Sequence, residues 1–86
     1  MQFRVEIRIT PRVGILDPQG KAVGGALASL GFTGLGDVHV GRFIALELDA
    51  ASEQEAETAA ISMCRQLLAN PVTEDFGLRI SELAAR

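Results

Sequence analysis

The chain has 86 residues, 48% of them hydrophobic, and its only aromatic residues are four Phe. That length predicts one domain over 1–86 with a thin aliphatic core, which a partner surface would reinforce. A net charge of −3, with the positive residues scattered, argues against nucleic-acid binding, which needs a basic face. Cys64, the single cysteine, excludes an internal disulfide, and the N-terminus lacks the regions of a signal peptide. With no apolar run near the ~20 residues of a bilayer-spanning helix, the chain is expected in the cytoplasm.

From Gln2 to Thr10 the residues alternate, with Phe3, Val5, Ile7 and Ile9 on one face and Arg4, Glu6 and Arg8 on the other. Strict alternation predicts a strand with one wet face. After a connection over 11–16, Asp17 reads as an N-cap with Pro18 at the first helical position, where a missing N–H costs nothing. Val23, Ala26, Leu27 and Leu30 then share one stripe, predicted to face the sheet. Gly31 ends this helix, with Phe32 folding back in a Schellman ending. Gly24-Gly25 inside it is an anomaly, since each glycine costs about 1 kcal/mol against alanine. A close approach to neighbouring backbone would compensate.

Asp37–Val40 and Phe43–Leu48 read as two strands joined at Gly41-Arg42, a pair suited to a two-residue type II′ turn. That turn sets Val40 opposite Phe43 and Val38 opposite Ala45, whereas Ile44, Leu46 and Leu48 form the core-facing set. Both faces of the hairpin are then apolar, unless a bulge or longer loop turns Val38 and Val40 to the core. Ser52 followed by Glu55 is a capping box that starts a second helix. Its stripe is Ala56, Ala59, Ala60, Met63 and Leu67, and it must end near Asn70, before Pro71. A last strand over 73–80 points Phe76, Leu78 and Ile80 inward. The order β-α-β-β-α-β predicts an α+β two-layer sandwich of ferredoxin-like or closely related strand order.

No catalytic, cofactor-binding or metal site emerges. Gly20-Lys21 lacks a phosphate loop's context, since the upstream glycine is Gly14, one residue too far, and Ala22 stands where Ser or Thr would hold magnesium. Gly31, Gly34 and Gly36 follow a helix and precede a strand, the reverse of a dinucleotide fingerprint. His39 is the single histidine, so with Cys64 it makes no metal or nucleophile constellation. Glu74 and Asp75, adjacent on a strand, point to opposite faces. The candidate functional surface is an oligomer interface of Val38, Val40, Phe43 and Ala45. The surplus of apolar surface and the exposed strand edges predict a homo-oligomer, most simply a two-fold dimer.

Three phrases add a family. Leu16-Asp17-Pro18-Gln19-Gly20-Lys21-Ala22-Val23 with Leu30-Gly31-Phe32, Val40-Gly41-Arg42-Phe43-Ile44, and Cys64 with Leu67-Leu68-Ala69-Asn70-Pro71-Val72 resemble the PurS family in order and spacing. This family is the small accessory subunit of phosphoribosylformylglycinamidine synthase, and the resemblance covers nearly the whole chain. Only Gly24-Gly25 departs, where the family has larger or polar residues. The resemblance implies a non-catalytic subunit of a purine-biosynthesis ligase complex. It would bridge a large synthetase and a glutaminase and support ammonia transfer, as a dimer or higher homo-oligomer. It would carry no cofactor itself, leaving ATP, magnesium and glutamine to its partners. The alternative is a free-standing ACT-like regulatory domain that binds a small metabolite at a dimer interface. An RNA-binding sheet of the same strand order lacks paired aromatics.

Overall fold

The computed structural model describes residues 1–83. In chain order these form strand β1 (Gln2–Pro11), helix α1 (Pro18–Ser29), strand β2 (Arg42–Asp49), helix α2 (Glu53–Met63), a π-helical turn (Cys64–Leu68) and strand β3 (Glu74–Glu82). The sheet has the order β2-β1-β3, and both pairings are antiparallel.

Register follows from the period-two pattern. Val5 lies between Leu46 and Ile80, and Ile7 between Ile44 and Leu78, so three apolar rows line one face. Phe3, Val5, Ile7 and Ile9 are at most 1% exposed on the central strand. A buried β1 with partly buried neighbours is what a single helix covering part of a three-stranded face produces. That helix is α2, which packs over β1 and β3 through Ala56, Ala60 and Cys64. Its small side chains allow the helix to approach closely.

The α+β class and the order of the expected elements hold, with one segment differing in pairing. Asp37–Val40 stands in the second strand's place but joins no ladder. Gly41-Arg42 makes no hairpin either. The backbone runs on into β2, and a Cβ at Gly41 would collide with the Ile9 carbonyl oxygen. Gly41 is there because the chain passes so close to β1 that no side chain fits, not because a turn requires it.

Both caps of α1 form as expected. Asp17 Oδ1 accepts from the Gly20 N–H at 2.9 Å, and the N–H groups of Gly31 and Phe32 donate to Ala28 and Leu27 carbonyls at 3.1 and 3.2 Å, with Gly31 at φ +96°. These two bonds close a Schellman motif. The expected packing of α1 on the sheet does not occur. Only Gly20 of this helix is buried, and Val23 and Leu30 are 42% and 74% exposed. Helix α1 and the segment after it form an arm projecting from the sheet. The radius of gyration is accordingly 16.6 Å, against about 12 Å for a compact chain of this length.

Helix α2 starts as expected, with the Glu55 N–H donating to Ser52 Oγ at 3.1 Å. The returning Glu55 carboxylate accepts from the Ala51 N–H rather than from the cap residue. At the far end the Ala69 N–H donates to Cys64 O at 2.9 Å, an i→i−5 bond that inserts one residue into the helical period. The stripe therefore shifts after Met63. Cys64, Leu68 and Ala69 turn inward, and Leu67, expected on the stripe, is 82% exposed.

Candidate functional site

The polar chemistry of the chain gathers where the arm leaves the sheet. Asp17, placed at this root by the α1 cap, uses its second carboxylate oxygen to accept from the Val40 N–H at 2.9 Å. Its side chain is nearly buried, and His39 Nδ1 lies 3.5 Å from the same oxygen. The two N–H donors, from Gly20 first and Val40 second, and then His39 hold the Asp17 carboxyl below the ordinary carboxylate value. Burial opposes them without prevailing.

Beside it, Arg42 at the start of β2 donates to both carboxylate oxygens of Glu74 at 2.8 and 2.9 Å, and to Leu68 O at 2.8 Å. Glu74 Oε1 also accepts from the Asn70 N–H at 2.8 Å. The Arg42 guanidinium first, and the Asn70 N–H second, lower the Glu74 pKa. Arg12 completes the junction by donating to Pro71 O at 2.9 Å and pairing with Asp75 at 3.3 Å. A planar guanidinium suits this role because its fork can hold a carboxylate and a carbonyl together.

The glycine expected to matter was misplaced. A Cβ at Gly20 would collide with Val38 O, whereas Gly24 has only ordinary contact with the Val38 side chain and Gly25 faces open space. The close approach compensating for glycine in this helix is one turn earlier, at Gly20. Nothing in the residues around Gly20 signals this contact, because Val38 is 18 positions away in the chain.

The candidate interface residues divide between two surfaces. Val38 and Val40 are partly buried on the return from α1. Phe43 and Ala45 are exposed on the outer face of β2, beside Arg8 and Glu6 of β1. An open depression of about 380 Å³ lies there, lined by Glu6, Arg8, Phe43, Gly77 and Arg79. Cys64 sits in the core, where burial raises its thiol pKa. Among the described residues, no three His, Cys, Asp or Glu side chains converge as a metal site, and no helix is long and apolar enough to cross a membrane.

The phrases Leu16–Val23, Val40–Ile44 and Leu67–Val72, distant in the chain, thus meet at one junction through Asp17, Arg42 and the Leu68 and Pro71 carbonyls. A family model described as PurS, phosphoribosylformylglycinamidine (FGAM) synthase, matches residues 4–82. The chain belongs to the PurS family. A PurS subunit of phosphoribosylformylglycinamidine synthase from a Synechocystis species is 40% identical over 81 residues, covering 94% of this chain and 81% of that protein. The solved structure of Thermus thermophilus PurS matches with a TM-score of 0.84 at 39% identity, covering 98% of this chain and 100% of that one. A structure of PurLQS from Thermotoga maritima includes a chain that matches with a TM-score of 0.85 at 26% identity, covering 94% and 99%. In this PurS chain, the quoted phrases contain residues that cap a helix and clamp the junction, Asp17 and Arg42.

Proposed function

We propose that this chain is the non-catalytic accessory subunit of a phosphoribosylformylglycinamidine synthase in purine biosynthesis. It bridges the synthetase and glutaminase subunits, supports ammonia transfer between them and works in the cytoplasm. ATP, magnesium and glutamine are handled by those partners, and this chain holds no cofactor. The carrying observation is the junction itself. Asp17 is already satisfied by backbone N–H groups and Arg42 by Glu74 and the Leu68 carbonyl, so these residues of the family phrases are occupied in fixing shape. Shape is what a bridging subunit supplies. The PurLQS structure containing a similar chain supports the same reading.

The chain also self-associates, with Phe43 and Ala45 on the outer face of β2 as the proposed contact and Val38 and Val40, on the return from α1, as a separate patch. Phe43 at 56% exposure, beside Arg8 on the outer face, supports this. No observation favours the ACT-like alternative. Affinity capture of the tagged chain from its own cell tests the proposal. Recovery of a synthetase and a glutaminase is expected. Recovery of neither, with a small metabolite shifting the chain's melting temperature, would replace the accessory role with the regulatory one.

A further inference from the structure

Gly77 has no reason within the described chain to be glycine. It sits in the interior of β3, where glycine weakens a strand and marks a bulge or a place where another group comes close. Its φ is not positive, and its pairing with Arg8 continues an unbroken ladder. A Cβ added to it would meet nothing within 4 Å, unlike one at Gly20 or Gly41, which would collide with a carbonyl. A left-handed backbone, a bulge and a crowded neighbour are thereby excluded. What remains is approach from outside the chain, and Gly77 lines the open depression of the outer face. Across the strands one row there reads Phe43, Arg8, Gly77 and the next Ala45, Glu6, Arg79. The missing side chain therefore leaves a gap beside Arg8, with Arg79 next along β3 on the same face. Among the described residues, ion pairs engage Arg12 and Arg42 but leave Arg8 and Arg79 without a carboxylate, although Glu6 stands opposite Arg79.

We infer that this gap receives an acidic segment of a partner subunit, with an Asp or Glu carboxylate seated over Gly77 between the Arg8 and Arg79 guanidiniums and an apolar neighbour against Phe43. Charge complementarity selects the occupant. The chain as a whole carries −3 and repels an acidic segment, but around Gly77 two guanidiniums face the single carboxylate of Glu6. Guanidinium forks bind carboxylates with two parallel bonds, and arginine beside an aromatic ring is the composition of interface cores. A second copy meeting this surface face to face would present the same excess of cations. The self-contact proposed at Phe43 and Ala45 lies on the β2 side of the outer face, whereas the segment occupies the β3 side. The inference rests on the accessory-subunit reading and names the chemistry by which a partner is held.

Gly77→Val separates this contact from a structural role. Valine suits a strand interior, so the variant should melt at or above the temperature of the unsubstituted chain while filling the gap. Titrated with the purified synthetase and glutaminase subunits of the same cell, it should bind one of them about tenfold or more weakly. Arg79→Glu, a change at an exposed position, should do the same, and the unsubstituted interaction should weaken as salt rises. Undiminished binding by both variants overturns the inference and leaves the accessory role standing. Failure of the unsubstituted chain to bind either subunit sinks the accessory role, and the inference with it. If Gly77→Val shifts the chain alone toward monomer in sedimentation, the occupant is a second copy. If inorganic phosphate raises the melting temperature of the unsubstituted chain but not of Arg79→Glu, it is a free anion. Either result overturns the partner segment.

Discussion

The Asp17 carboxylate and the Val40 N–H, 23 residues apart, meet at 2.9 Å, closing the arm into a loop whose two ends leave the sheet together. The same side chain caps α1, so a single residue starts the helix and fixes the segment that returns from it. Beside this bond Gly20 brings α1 against the Val38 carbonyl. Gly20→Ala should therefore destabilise the chain by about 1–3 kcal/mol, the usual cost of forcing extra volume into a filled space. Gly25→Ala, which meets nothing within 4 Å, should stabilise it by up to about 1 kcal/mol. Urea denaturation of the two variants checks the pair, and equal effects would refute the stated geometry.

Acid should loosen the junction. Asp17 and Glu74 both have folded pKa values below the ordinary ones, so the unfolded chain binds more protons as pH falls. Their contribution is complete above about pH 4–5, where unfolded carboxyls are ionised, and disappears as pH drops through the lowered folded values. Thermal melting between pH 7 and pH 2 should show a decline confined to the acid limb. Asp17→Asn with Glu74→Gln should flatten it.

Arg42 is a fork as well as a charge. Its two bonds to Glu74 and one to Leu68 O need a planar guanidinium, so Arg42→Lys should fail to restore what Arg42→Ala loses. Half-exposed ion pairs contribute little, and we expect about 1 kcal/mol or less in global stability. The sensitive readout is hydrogen exchange at the Asn70 amide, which Glu74 accepts and which should speed up in both variants.

Phe43→Asp tests the outer face. A carboxylate in a buried contact is costly when unpaired, so the variant should shift sedimentation toward monomer at micromolar concentration. Unchanged assembly would move the interface away from Phe43 and Ala45.

Isolated protein should show no glutaminase, ATPase or synthetase turnover. The measurement is product formation by the purified chain with each substrate. Turnover abolished by a substitution in this chain would contradict the accessory role.

Local chemistry was legible in the amino-acid order. Asp17-Pro18 and Gly31 bounded α1, Ser52 started α2, and the alternation of Phe3, Val5, Ile7 and Ile9 identified the buried strand, because caps and strand faces depend on residues a few positions apart. The phrases also pointed to the family, and in this chain two of their residues, Asp17 and Arg42, meet at the junction. What the sequence could not decide was where apolar stripes go. A stripe of Val23, Leu27 and Leu30 predicts packing on the sheet, but the fold leaves Val23 and Leu30 exposed. Gly41-Arg42 reads as a turn, and only the close approach of Gly41 to the Ile9 carbonyl gives the glycine its other reason. The π turn at Cys64 likewise rotated Leu67 out of a stripe whose spacing was regular. These outcomes depend on distances between segments remote in the chain, which only the tertiary structure sets.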